Sequence, residues 1–229
     1  PLVRLFVLAV VGAGLLGFLG YRFVWQPLSA NANYRRGFDQ LQAERYPLAN
    51  ERFARAVKAW PMRRWFFRYA EGFRDKRQYD LAAEKYEELL GRWPNDRKAV
   101  LDWAAMESKL RARYERADEI LQRILERNPS DYDALLAAGD NFLEWAGEEP
   151  THYEDARLSW AELMQAHGQK DEVLFRMLRY FVRTDNLEEA ERLRALFFDR
   201  KRFSVDTEAA RSLAELGGYL VDKRQLDWV

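Results

Sequence analysis

The feature that most constrains this chain is a small residue returning at nearly constant intervals: Ala49, Ala82, Ala117, Ala156 and Ala190, separated by 33, 35, 39 and 34 positions. Four of the five are followed four residues later by a large apolar side chain, Phe53, Tyr86, Leu121 and Trp160. Prolines keep similar time. Trp60-Pro61, Trp93-Pro94 and Asn128-Pro129 each close an apolar-periodic run and precede polar residues that open another. A four-residue step places two side chains on one helix face, and proline does not continue a helix. The period therefore predicts an array of two-helix repeats, each too small to bury its own apolar face and each stabilised by its neighbours. No strand pattern competes.

These residues resemble the tetratricopeptide repeat family, whose unit of about 34 residues is written W-x2-L-G-x2-Y, A-x3-F, P. The best match is Phe66, Tyr69, Ala70, Phe73, Ala82, Tyr86 and Pro94. A first repeat shows Gly37, Ala49, Phe53, Ala56 and Pro61, and a third shows Leu101, Ala104, Ala105, Ala117, Leu121 and Pro129. The fourth has Leu135, Ala138, Gly139 and Phe142, an insertion around Gly147 to Thr151, then Ala156 and Trp160. Leu174, Phe181, Leu187 and Ala190 mark a fifth, and Leu213, Leu216, Gly217 and Leu220 begin a sixth. The resemblance implies an all-α fold, a right-handed α-solenoid of antiparallel helix pairs. Pairs are expected at 32–44 with 48–59, 63–75 with 79–91, 96–110 with 114–127, 132–145 with 152–166 and 170–184 with 187–199, with a last helix over 206–223. Asn95, Ser130 and Asp185 read as helix-opening caps.

In this family the first helix of each repeat lines a groove that receives a peptide or a helix. Carried over residue by residue, the partner-binding positions are Tyr34, Phe38 and Leu41, then Arg64, Phe67, Glu71 and Arg74, then Asp102, Met106 and Lys109. Leu136, Asp140 and Glu144 follow, and then Phe175, Arg179 and Arg183. Chaperone-binding members use a Lys and Asn pair to grip a terminal carboxylate. Here those positions are Tyr34 and Phe38, so that clamp is absent. The run Arg63, Arg64, Arg68, Arg74, Lys76 and Arg77 is interleaved with Glu71, Asp75, Asp80 and Glu84 and reads as an ion-paired, solvated face. Thr151-His152-Tyr153-Glu154-Asp155 opens a helix after the insertion, where acids favour the amide end for dipole reasons.

Ahead of the repeats, Leu5 to Tyr21 carries no charge, and Phe23, Val24 and Trp25 extend the apolar stretch past Arg22. With Arg4 and Arg22 at its ends and Tyr21 and Trp25 as interfacial rings, it predicts an uncleaved transmembrane helix. The expected domains are an anchor at 1–25, a linker at 26–31 and the array at 32–229. Ala9, Ala13 and Gly17 share one face of the anchor. The short basic start implies a single-pass inner-membrane protein with its repeats in the periplasm.

Composition removes several function classes. The chain has 37 Lys+Arg against 37 Asp+Glu, whereas a nucleic-acid-binding domain usually shows a basic excess. It has no cysteine and two histidines, His152 and His167, which leaves no thiolate site and too little imidazole for an ordinary zinc site. We therefore expect no enzyme activity, catalytic residue, metal, cofactor or small-molecule substrate, and partners that are proteins: a helix, a peptide or another repeat domain. The leading expectation is a membrane-anchored scaffold in a cell-envelope assembly. The segments YAEGFRDKRQYDLAAEKYEELL, LRYFVRTDN and LGGYLVDKRQLDWV are similar to membrane-tethered repeat proteins of spirochaetes, some of which build the periplasmic collar of the flagellar motor. The alternatives are an inner-membrane assembly factor for envelope or division proteins, or the anchoring module of a longer enzyme. Because Pro1 is not an initiator residue and Val229 stands where the sixth repeat's second helix should present its small residue, the chain is expected to be a fragment.

Overall fold

A computed structural model describes residues 2–199 and 207–223. All regular structure among them is helical: α1 (Leu2–Gly20), a π-helical turn (Tyr21–Trp25), α2 (Gln26–Gln42), α3 (Tyr46–Ala59), α4 (Arg63–Asp75), α5 (Tyr79–Arg92) and α6 (Arg97–Arg111). Beyond these lie α7 (Tyr114–Leu125), α8 (Tyr132–Trp145), α9 (His152–His167), α10 (Asp171–Arg183), α11 (Leu187–Asp199) and α12 (Thr207–Asp222). The expected end of the chain, from Arg224 to Val229, lies outside the described residues, as does residue 206 of the expected last helix.

The chain divides at Pro94 into two compact units, residues 1–94 and 95–229. Unit 1 pairs α2 with α3 and α4 with α5, and α2 also meets α4. Unit 2 pairs α6 with α7, α8 with α9 and α10 with α11, while its first helices contact one another in the order α6, α8, α10 and α12. The recurring alanines Ala49, Ala82, Ala117, Ala156 and Ala190 are all 0% exposed, as the period requires. Two glycines mark the closest approaches. A β-carbon on Gly37 would lie 2.2 Å from the Tyr69 hydroxyl, and one on Gly139 would lie 2.2 Å from the Trp160 indole nitrogen. Only hydrogen at these two positions admits the neighbouring ring.

The turn between the two helices of a repeat has a recurring form. Glu44, Arg77, Ala112 and Asp185 adopt positive φ of 61, 58, 50 and 57°. In three of these turns the next residue's N–H donates back five positions: Arg45 to Gln40, Gln78 to Phe73 and Asn186 to Phe181, at 2.9, 2.8 and 2.8 Å. This is a Schellman closure of the first helix. The third repeat stretches it by one residue, Arg113 to Glu107 at 2.9 Å. Caps lie one residue beyond the expected positions. The Asp96 carboxylate accepts from the Ala99 N–H, Asp131 from Ala134 and Asn186 from Glu189, at 3.1, 3.0 and 3.2 Å. Asp185 instead takes the left-handed position.

Two expectations about the N-terminal region change. No linker separates it from the array at 26–31, because α2 begins at Gln26. Pro27 has no N–H to give to the carbonyl four residues back, and its ring crowds that carbonyl. The preceding π-turn, with the Gln26 N–H bonded to the Tyr21 carbonyl, widens the helix there. Among the described residues no helix is long and apolar enough to cross a membrane. Helix α1 ends at Gly20. Arg22 follows within a turn, bonded to the Gln26 amide oxygen at 2.6 Å. The single-pass inner-membrane placement, with repeats in the periplasm and the membrane as a partner, is corrected accordingly.

Candidate protein-binding faces

In unit 1, α2 and α4 present a cavity of about 490 Å³ lined by Asn31, Tyr34, Arg35, Phe38, Asp39, Arg64, Trp65 and Arg68. Its floor is aromatic. Tyr34 stacks on Trp65 with centroids 4.7 Å apart and planes at 12°, and meets Tyr69 edge-on at 5.6 Å. The Tyr69 hydroxyl donates to the Tyr34 carbonyl at 2.8 Å, and burial pushes its pKa far above the ordinary tyrosine range. Of the seven sequence-assigned positions in this unit, Tyr34, Phe38 and Arg64 come together on the cavity wall. Leu41 and Phe67 are buried in the core, at 0 and 8% exposure. Glu71 and Arg74 are half-buried, and Arg74 pairs with Asp75 at 3.2 Å.

Unit 2 presents a different face. A cavity of about 210 Å³ opens between α6 and α8, with Ala104, Ala105, Leu136 and Ala137 among its apolar walls and Lys109, Asp133, Asp140 and Arg176 among its charged ones. A neighbouring hollow of about 190 Å³ shares Ser108, Lys109 and Asp140 with it, and continues to Tyr114, Glu144, Arg179, Glu208 and Arg211. Lys109, Leu136, Asp140, Glu144 and Arg179 of the expected groove therefore line this surface. Asp102 is half-buried and pairs with Lys98 along α6. Met106 and Phe175 are buried at 2% exposure each, and Phe175 stacks on Phe197 at 4.1 Å.

Arginine's planar fork and the dense Arg and Glu interleaving are compatible with ion pairs between neighbouring repeats, but sequence reasoning assigned positions one by one and did not locate the lattice that builds this face. Arg176 grips Asp140 through two nitrogens, at 2.6 and 3.0 Å. Arg179, only 2% exposed, reaches Glu144 at 2.7 Å, Glu208 at 2.6 Å and Glu215 at 3.0 Å. Arg183 and Arg211 flank it, each reaching both Glu144 and Glu215, at 3.4 and 3.2 Å for Arg183 and at 3.2 and 3.6 Å for Arg211. Burial raises the Asp140 carboxyl pKa more than Arg176 lowers it. At Glu144 burial acts the same way, but Arg179, Arg183 and Arg211 outweigh it and hold the pKa below the ordinary value. The missed signal was legible as spacing: Arg176, Arg179 and Arg183 on α10 face Glu208, Arg211 and Glu215 on α12 at three- and four-residue steps.

The cluster after the insertion is structural in form. His152 opens α9, stacks on Trp145 at 3.7 Å and places Nδ1 2.8 Å from an Asp155 oxygen. Among the described residues no group of His, Asp and Glu is arranged to hold a metal ion.

No protein-family model and no curated protein matches the chain. Solved structures do. A tetratricopeptide repeat protein from Parabacteroides merdae is similar at TM-score 0.60 and 15% identity, over 87% of this chain and 79% of that one. PilF of Pseudomonas aeruginosa is similar at TM-score 0.50 and 18% identity, over 82% and 83%. YrrB, described as a TPR protein with an unusual peptide-binding site, is similar at TM-score 0.50 and 15% identity, over 84% and 90%. The narrower likeness to spirochaetal collar proteins is not among these findings, and at such identities the similarity speaks for architecture alone: this chain has the tetratricopeptide-repeat fold.

Proposed function

We propose that the protein is a non-enzymatic scaffold that binds other proteins on the faces formed by its first helices. The observation that carries this reading is the cavity between α6 and α8, whose alanine and leucine walls are rimmed by Lys109, Asp133 and Asp140. An apolar floor with charged edges suits a helix or an extended segment whose apolar side chains enter while its polar groups stay at the rim. The fold supports the same reading, since YrrB shares it and is described by its peptide-binding site. The proposed contact positions are Tyr34, Phe38 and Arg64 on unit 1, and Lys109, Leu136, Asp140 and Glu144 on unit 2, with the buried Arg179 holding Glu144 in place from beneath. The expected flagellar-collar and inner-membrane roles leaned on the N-terminal span and are not carried forward.

Site-specific photo-crosslinking in the native cell tests the proposal. A crosslinker at exposed Ala105 on α6 is expected to capture a defined protein, and one at exposed Gln122 on α7 is not. Equal capture from both positions, or capture from neither, would sink the assignment of the binding face.

A further inference from the structure

Unit 1 carries cations that the fold leaves unanswered. Arg35 on α2 and Arg64 and Arg68 on α4 are exposed and line one cavity. Elsewhere in the unit Arg55 pairs with Glu51, Arg74 with Asp75 and Lys76 with Glu44. These three differ. Among the described residues none of them meets a carboxylate at ion-pair distance: Arg64 touches the Met62 sulfur at 3.9 Å and Arg68 lies 5.2 Å over the Phe38 ring. Asp39 is the one acid among the lining residues, so the wall has three positive charges against one negative.

The interleaving of Arg63 to Arg77 with acids suggested an ion-paired, solvated face, and at Arg64 and Arg68 geometry supplies no such pair. Arg64 and Arg68 are four residues apart and share the side of α4 that faces the cavity, while Asp75 and Glu44 lie near the turns and answer Arg74 and Lys76 instead. Guanidinium groups are weakly hydrated and present a planar fork that fits a carboxylate. Beneath them are the half-buried rings of Tyr34 and Phe38.

We propose that this cavity receives an acidic, extended peptide segment of a partner protein. Its carboxylates sit on Arg35, Arg64 and Arg68, and an apolar side chain rests against Tyr34 and Phe38. The inference rests on the reading of first-helix faces as protein-binding surfaces and adds the chemistry of the occupant. A single-stranded nucleic acid would also seek cations beside rings, but it needs open ring faces on which to stack. Here one Tyr34 face is taken by Trp65 and one Phe38 face by Arg68.

The test is fluorescence anisotropy of the full chain with an end-blocked, fluorescein-labelled peptide of Glu-Glu-Leu repeats, its Lys-Lys-Leu counterpart, and a labelled single-stranded oligonucleotide. The acidic peptide should bind best and weaken as salt rises. The R64E/R68E variant should bind it about tenfold or more weakly, as charge reversal at a complementary face does, and should gain affinity for the basic peptide. Circular dichroism checks that the variant folds. If it does not, R64Q/R68Q supplies the same comparison, with a smaller loss expected. Binding of the oligonucleotide or the basic peptide as tightly as the acidic one, or unchanged affinity in a folded variant, would overturn the inference. The crosslinking at Ala105 reports on unit 2 independently, so capture there without acidic-peptide preference here removes this inference and leaves the scaffold reading in place.

Discussion

In unit 1 successive first helices are joined by rings: Tyr34 against Trp65 and Tyr69, and the Tyr69 hydroxyl on the Tyr34 carbonyl. In unit 2 the same kind of junction is made by charge, with Arg176 on Asp140 and Arg179 on Glu144, Glu208 and Glu215. Ring contacts derive from apolar area and quadrupole geometry and use no formal charge. A buried guanidinium requires carboxylates around it, because an unpaired buried charge is strongly destabilising. The two solutions therefore leave different surfaces. Ring packing leaves Arg35, Arg64 and Arg68 available to a partner, whereas the lattice of unit 2 satisfies its arginines internally and offers an apolar hollow instead.

Removing Arg179 should break the comparison most sharply. Arg179→Ala takes the shared cation from Glu144, Glu208 and Glu215; because Arg183 and Arg211 still reach Glu144 and Glu215, the loss should lie near the lower end of the roughly 3–5 kcal/mol that breaking one side of a buried pair costs. Urea unfolding followed by hydrogen exchange should show lost protection in α8, α10 and α12 and little change in α4 and α5. A variant as stable as the parent would show that the lattice is decorative. Next in size is Ala82→Leu, placed where α4 and α5 pack: overpacking that 0%-exposed site should destabilise unit 1 by about 1–3 kcal/mol. An unchanged thermal midpoint would count against the repeat phase.

A smaller loss, about 1 kcal/mol, is expected for Tyr69→Phe, which removes the hydrogen bond to Tyr34 and keeps the ring. That loss should be the same at low and high salt, in contrast to any change at the more exposed ion pairs of unit 2. The weakest effect is the acid response of the parent protein. Glu144 and Asp131 have pKa values held below their ordinary 4.5 and 3.8, Glu144 by its arginines against burial and Asp131 chiefly by Arg97. Their contribution is therefore complete above those ordinary values and is lost as pH falls through the lowered ones. Denaturation midpoints measured from pH 6 downward should decline over that window. In Arg179→Ala the decline should be shallower, because protonation relieves the repulsion the substitution creates.

The helix pairs were legible because a small residue with a large one four positions later is dictated by helix crossing, and Ala49 through Ala190 all prove buried. The faces were less legible. A single residue step turns a helix by about 100°, so a register slightly off in rotation exchanges groove for core. Phe67 and Met106 are buried, while their neighbours Arg68 and Ala105 are exposed. The turns escaped notice because their left-handed residues are Glu44, Arg77, Ala112 and Asp185, none of them the glycine that would signal such a position. The cavity of unit 1 depends on which arginines lack partners, and that is a property of distances between helices that no spacing along one of them records.

Those left-handed turn residues carry a further meaning. A β-carbon in that conformation costs roughly 1 kcal/mol, and a glycine would relieve it while losing comparable backbone entropy on folding, so the backbone is nearly indifferent to the choice. The side chains are not. Glu44 reaches Lys76 at 2.9 Å, and Asp185 reaches Lys223 at 2.6 Å and the Tyr219 hydroxyl at 2.8 Å, each contact crossing to the following repeat. In the first and fifth repeats the bend that ends one helix thus also carries a clasp for the next repeat, so the joint and the fastening are a single part. At those two corners, exchanging the turn residue for glycine would loosen the seam between repeats while leaving the bend itself intact.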